Sequence, residues 1–199
     1  MSNNPTNKTI IARLANIAKE CRNDPKITEY SQSDYEWIPC IKYKTDCMGL
    51  LCEILYECRQ KKAQKLYKSL LEFARKNKHK LYPSDLPRIC LARCLFQYIQ
   101  ETKTSGIKRI AATKGLKLER GDLIVWEYST DPQVQTCTGH LIFFWSYKGC
   151  NHLEAIECSP EKNGIGFIDY DYEIVDNKLF LFSHLKQKYM EAIVGRITC

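Results

Sequence analysis

With 199 residues, 44% of them hydrophobic and 27% charged, the chain is long enough to bury one core and too apolar to remain disordered. Its longest apolar runs, such as Leu141 to Trp145, are too short to cross a bilayer, so no integral membrane segment is expected. A formal net charge of +7 raises the question of a nucleic-acid partner, but much of that charge is concentrated in one amphipathic segment.

The first residues, MSNNPTNKTIIARLANIAKE, carry Arg13 and Lys19 inside their only apolar stretch. They lack the uninterrupted core of a signal peptide. Synthesis and folding in the cytoplasm are expected, with export by a signal-peptide-independent route left open. Ile10, Ile11, Leu14, Ile17, Ala18 and Cys21 form one apolar stripe that ends near Asp24-Pro25, which predicts a first helix.

Residues 47 to 77 read as a second helical region of one or two helices. Leu50, Leu51, Ile54, Leu55 and Cys58 make its first apolar face. The run RQKKAQKLYKSLLEFARKNKHK, residues 59 to 80, holds Leu66, Tyr67, Leu70 and Phe73 at helical spacing. That pattern predicts an amphipathic helix with a solvated basic face. No nucleic-acid module signature accompanies it, so no nucleic-acid partner is expected. Pro83 and Pro87 interrupt the pattern, and RICLARCLFQYIQ from Arg88 reads as a third helix. The helical reading runs to about residue 112.

From Leu116 the period changes. LIVWEY (123 to 128), HLIFFWSY (140 to 147), HLEAIECS (152 to 159), GIGFIDY (164 to 170) and MEAIVGRIT (190 to 198) read as strands. Turn residues separate them: Gly121-Asp122, Asp131-Pro132, Lys148-Gly149 and Asn163-Gly164. Helices followed by a run of strands predict a single α+β domain with an antiparallel sheet.

Eleven cysteines are present, with no C-x-x-C pair. A reducing compartment argues against a disulfide framework. Cys90 with Cys94, and Cys150 with His152, come nearest to half a metal site. Buried structural thiols are the better default, so neither a metal centre nor a cofactor is expected.

Cys47 stands apart by context. It lies where the GLLCEILYE helix begins, with Asp46 as a plausible cap. A helix N-terminus lowers a thiol pKa through its dipole and free N–H groups. A thiol nucleophile also needs a base and a group to orient that base. Of the four histidines, His79 lies in the basic run, His184 follows LFLFS, and His140 opens an apolar strand after TCTG. In LEAIECS, Ala155 and Glu157 share one strand face and Glu154, Ile156 and Cys158 the other. Antiparallel pairing of residues 140 to 147 with 152 to 159 brings His140 close to Glu157. A carboxylate there holds the imidazole tautomer and supports its charged form.

These residues resemble the NlpC-type family of cell-wall peptidases and amidases, which are papain-like cysteine hydrolases. The resemblance rests on Tyr35 and Trp37 upstream of Asp46, Cys47 and Gly49, on Gly121-Asp122-Leu123, on TGHLIFFW with His140, on LEAIECS with Glu157, and on EAIVGRIT at the end. It implies a papain-like fold, with N-terminal helices packed on a C-terminal antiparallel sheet. Residues 1–30 would be a helical extension and 60–115 a helical insert relative to the family core. Cys47 would be the nucleophile, His140 the general base and Glu157 its orienting partner. Tyr35, Trp37, Asp46 and Gly139 would line the oxyanion and substrate side. The partners so implied are a peptide or bacterial cell-wall muropeptide substrate, or a host protein met after secretion. The same residues would also serve an acyltransferase or a transglutaminase-like enzyme, and the scaffold could carry a non-catalytic interaction protein. Met48 stands where the family has a small serine, and Ile38-Pro39-Cys40 where it has Gly-Gly.

Overall fold

The apolar stripe of the N-terminal segment forms helix α1 (Pro5–Asn23), which buries Ile10, Leu14, Ile17, Ala18 and Cys21. The computed structural model describes residues 5–24, 29–30, 44–58, 60–77, 92–101, 106–128, 139–160, 162–184 and 186–198. A short parallel pair, β1 (Glu29–Tyr30) with β2 (Lys44–Thr45), leads into helix α2 (Cys47–Glu57). Helix α3 (Lys61–Lys76) buries Ala63, Leu66, Leu70 and Ala74 and leaves Lys61, Lys62, Lys65, Lys68, Arg75 and Lys76 exposed. Its basic face is therefore solvated. Helix α4 (Ala92–Glu101) follows. None of the described helices is long and apolar enough to cross a membrane.

The helical reading to about residue 112 stops short. Ile107–Ile110 form strand β3. Six longer strands complete the chain: β4 (Leu123–Glu127), β5 (Gly139–Tyr147), β6 (His152–Ser159), β7 (Gly164–Val175), β8 (Lys178–Ser183) and β9 (Lys188–Ile197). Their order is β3-β9-β4-β5-β6-β7-β8, and β8 also pairs with β9. Strands β4 to β9 thus close into a six-stranded antiparallel barrel.

This closure overturns the expected papain-like arrangement of helices on an open sheet. Its cause is β8, a strand the periodicity reading passed over. Asp176 and Asn177 adopt positive φ (50° and 59°), the left-handed conformation that short side chains of this kind tolerate in hairpin turns. The turn folds LFLFS back onto β7 by the pairs Tyr172 with Leu181 and Val175 with Lys178. The other edge of β8 pairs with the first half of β9, from Leu179 with Ala192 to Ser183 with Lys188. The second half of β9 takes β3 and β4. One ten-residue strand thereby completes the ring.

Alternation along the barrel strands separates two cores. Ile124, Trp126, Ile142, Phe144, Ala155 and Leu181 belong to the cluster inside the barrel. Leu123, Val125, Leu141, Phe143, Ile156 and Cys158 belong to the cluster shared with the helices. Helix α2 lies over β5 and β6, α4 over β4 and β5, and α1 against β7. Strands β4 and β5 are buried on both faces, which is why their sequences run apolar without interruption. At the entrance to β4, Asp122 takes Arg196 Nε and Nη2 at 2.8 Å each on its two oxygens, and the Glu119 N–H at 2.8 Å.

Candidate active site

The segment before α2 is held by its own polar groups. Asp46 is the N-cap, extended at φ −117°, and its Oδ1 accepts the Gly49 N–H at 2.8 Å. The Asp46 carbonyl accepts the Leu50 N–H at 3.0 Å. Asp46 is thus the helix cap that its position before the apolar face predicted, and Cys47 is the first helical residue. The Cys158 thiol donates to the Thr45 carbonyl at 3.1 Å and ties this segment to β6. Gly49 fits closely here, since a Cβ on it would lie 2.0 Å from Thr45 Oγ1.

His140 stands near the opening end of β5, paired across to Trp126 on β4. Its side chain projects to the barrel interior, as the parity of Ile142 and Phe144 requires. The indole of Trp126 meets the imidazole edge-on, with centroids 5.2 Å apart at 67°. Nε2 of His140 lies 2.7 Å from Oε2 of Glu157. Glu157 is wholly buried on β6, and the Tyr170 hydroxyl of β7 donates to the same Oε2. Strand β6 thus serves both halves of the site: Glu157 faces inward to His140, and Cys158 faces outward to the base of α2.

The Cys47 thiol is the second polar partner of His140. Burial opposes a charge on the imidazole, but the Glu157 carboxylate, the charge of Cys47 and hydrogen bonding with both outweigh it, and the His140 pKa is raised well above the ordinary value. Burial likewise pushes Glu157 upward, and the charge and hydrogen bond of His140, aided by Tyr170, bring it below the usual glutamate range. The stabilising contribution of His140 is complete below the ordinary histidine pKa, roughly 6.5, and fades as pH rises through the raised folded value. That of Glu157 is complete above the ordinary glutamate pKa, roughly 4.3, and fades as pH falls through the lowered one. The single ion pair that both describe is fully formed between those ordinary values. Glu157→Gln removes the charge and should lower the His140 midpoint, read from its ring-proton shifts in an NMR titration. An unchanged midpoint would show that Glu157 does not support the imidazolium.

Gly139, expected on the substrate side, is packed closely against β4. A Cβ on it would lie 2.3 Å from the Trp126 carbonyl oxygen and 3.2 Å from the Glu127 Cα, both backbone. Only glycine lets β4 and β5 meet beside His140. Gly139→Ala should cost about 1–3 kcal/mol of stability and displace His140, seen as a lower midpoint of urea unfolding. Wild-type stability in that variant would show that the strands can give.

Tyr35 and Trp37 lie outside the described residues, as does His79. The remaining histidines are exposed: His152 pairs with Asp171, and His184 lies against the Tyr170 and Phe182 rings. Within α2, the Cys52 thiol donates to the Met48 carbonyl at 2.8 Å. Burial raises the pKa of both Cys52 and Cys58, which favours the inert thiol. Among the described residues, no cluster of His, Cys, Asp and Glu could hold a metal ion. Tyr170 and the bond from Cys158 to Thr45 were not visible in the sequence, because strand parity names a face without naming what lies across it. No known family model matches the chain, and no curated protein matches it.

Proposed function

We propose that the chain is a cysteine hydrolase that cleaves an amide bond through an acyl-enzyme on Cys47. The observation that supports this reading is His140 paired with a buried carboxylate 2.7 Å away and near enough to Cys47, at the start of a capped helix, for the thiol's charge and hydrogen bonding to act on the imidazole. With Nε2 committed to Glu157, Nδ1 is the nitrogen free to take the Cys47 proton. The sulfur then bonds to the substrate carbonyl carbon. The amide N–H of Cys47, outside the ladder of its own helix, is a donor for the developing oxyanion. As the C–N bond breaks, the leaving amine takes its proton from His140. Water, deprotonated by His140, then attacks the thioester, releasing the acid and restoring the thiol. Glu157 keeps the imidazole oriented and supports its charge through both steps. The substrate class is a peptide amide, with cell-wall muropeptides and protein side chains or termini as its members.

Limiting alkylation tests the reading before a substrate is known. Cys150 is an exposed free thiol, whereas Cys47 is 7% exposed. On accessibility alone Cys150 reacts before Cys47. We expect iodoacetamide at near-neutral pH to label Cys47 ahead of Cys150, as mapped by mass spectrometry, and His140→Gln to abolish that lead. Labelling of Cys47 no faster than Cys150 would overturn the assignment.

A further inference from the structure

The Glu157 carboxylate is gripped from two strands. His140 reaches Oε2 from β5 at 2.7 Å, and the Tyr170 hydroxyl reaches the same oxygen from β7. Glu157 itself is fully buried, and Tyr170 is 4% exposed. No solvent competes for the bond at that depth, so a phenol donating to a carboxylate there is a strong, directional contact. The Tyr170 ring is itself fixed, edge-on to Trp126 at 5.8 Å and beside His184 at 6.0 Å. Trp126 also meets His140 at 5.2 Å. The imidazole and the phenol that hold the carboxylate are thus both braced by one indole.

We propose, resting on the reading of Cys47, His140 and Glu157 as an acyl-transfer site, that Tyr170 is a positioning residue which sets the rotamer and charge state of Glu157 and acts on Cys47 only through it. A carboxylate free to rotate about its terminal torsion would present its oxygens to His140 for part of the time. With Tyr170 donating to Oε2, one oxygen is anchored at the position His140 needs. The titratable groups facing this carboxylate are His140 from β5 and Tyr170 from β7, with Cys47 of α2 beyond His140.

Tyr170→Phe removes one oxygen and keeps the ring contacts. We expect Cys47 alkylation to slow about tenfold, the scale of one hydrogen bond to a charged group. The Glu157 carboxyl midpoint, read by 13C NMR, should move upward, a change that loss of packing alone does not produce. In a Glu157→Gln background the same substitution should have no further effect on alkylation. Equal slowing in both backgrounds would overturn the inference, because Tyr170 would then act by packing. An unchanged rate and midpoint, with His140→Gln still slowing Cys47, would overturn it and leave the active-site reading standing. Alkylation of Cys47 indifferent to His140→Gln would overturn both. Should Tyr170→Phe fold poorly, the unsubstituted protein supplies the test: an exchange-protected phenolic proton on Tyr170, shifted downfield by the charged acceptor, that moves upfield in Glu157→Gln, where the acceptor is neutral. Its absence would equally overturn the proposal.

Discussion

If the proposed reading holds, Cys47→Ala should abolish amide hydrolysis and His140→Gln should lower kcat/KM by roughly three to six orders of magnitude, with both variants expected to fold. The expected size follows from thiol and serine hydrolases in general, where nucleophile and base act as one unit and losing either removes nearly all of their joint contribution. Glutamine is the instructive replacement at His140. Alanine would strand the Glu157 charge, which is 0% exposed, and unfolding would then masquerade as lost catalysis. Glutamine offers an N–H to the carboxylate and cannot shuttle a proton. Cys52→Ala supplies the contrast. Its thiol is buried within α2 and bonded to the Met48 carbonyl, so that variant should lose stability by about 1–2 kcal/mol and keep its turnover. Steady-state rates on a hydrolysed peptide amide, beside circular dichroism of each variant, make the comparison. Full activity in Cys47→Ala would refute the mechanism.

Arg196→Met should cost about 3 kcal/mol of stability without touching the chemistry. The guanidinium grips Asp122 through Nε and Nη2, meets Glu119 through Nη1 at 2.6 Å, and donates to the Lys117 carbonyl at 3.1 Å. The Asp122 side chain is 1% exposed and that of Arg196 19%. Removing the cation leaves a buried carboxylate that keeps, among the described residues, the Glu119 N–H for support, the costly direction for an ion pair of this kind. Asp122 precedes β4, whereas His140 pairs with Trp126 near the far end of that strand. The damage is therefore confined to the seam where β9 meets β4. Chemical denaturation measures the loss, and alkylation of Cys47 in the folded variant should match the unsubstituted protein. A loss below about 1 kcal/mol would mean that solvent already screens the pair.

Local chemistry was readable from the residues alone. The helix start at Cys47 follows from Asp46 and the apolar face behind it, because capping is an interaction of a few neighbouring residues. The approach of His140 to Glu157 follows from one turn and strand parity, since adjacent strands joined near Lys148-Gly149 have little choice of partner. The amphipathic α3 follows from 3.6-residue spacing. What lay beyond reach was long-range. Strand β3 is four residues long, with too few repeats to show a period. Strand β8 reads KLFLFS, apolar at nearly every position, and a period-two test finds no alternation in it. Its identity as a strand depends on the Asp176-Asn177 turn and on two edges waiting for it, those of β7 and β9. That one strand separates an open sheet from a closed barrel. Closure then decides what no pattern in the chain records: that Glu157 faces an enclosed interior, and that Tyr170, thirteen residues on, shares its oxygen with His140. Spacing along the chain determined which groups could meet, and only the ring of hydrogen bonds, which satisfies every barrel edge at once, determined which of them do so out of water.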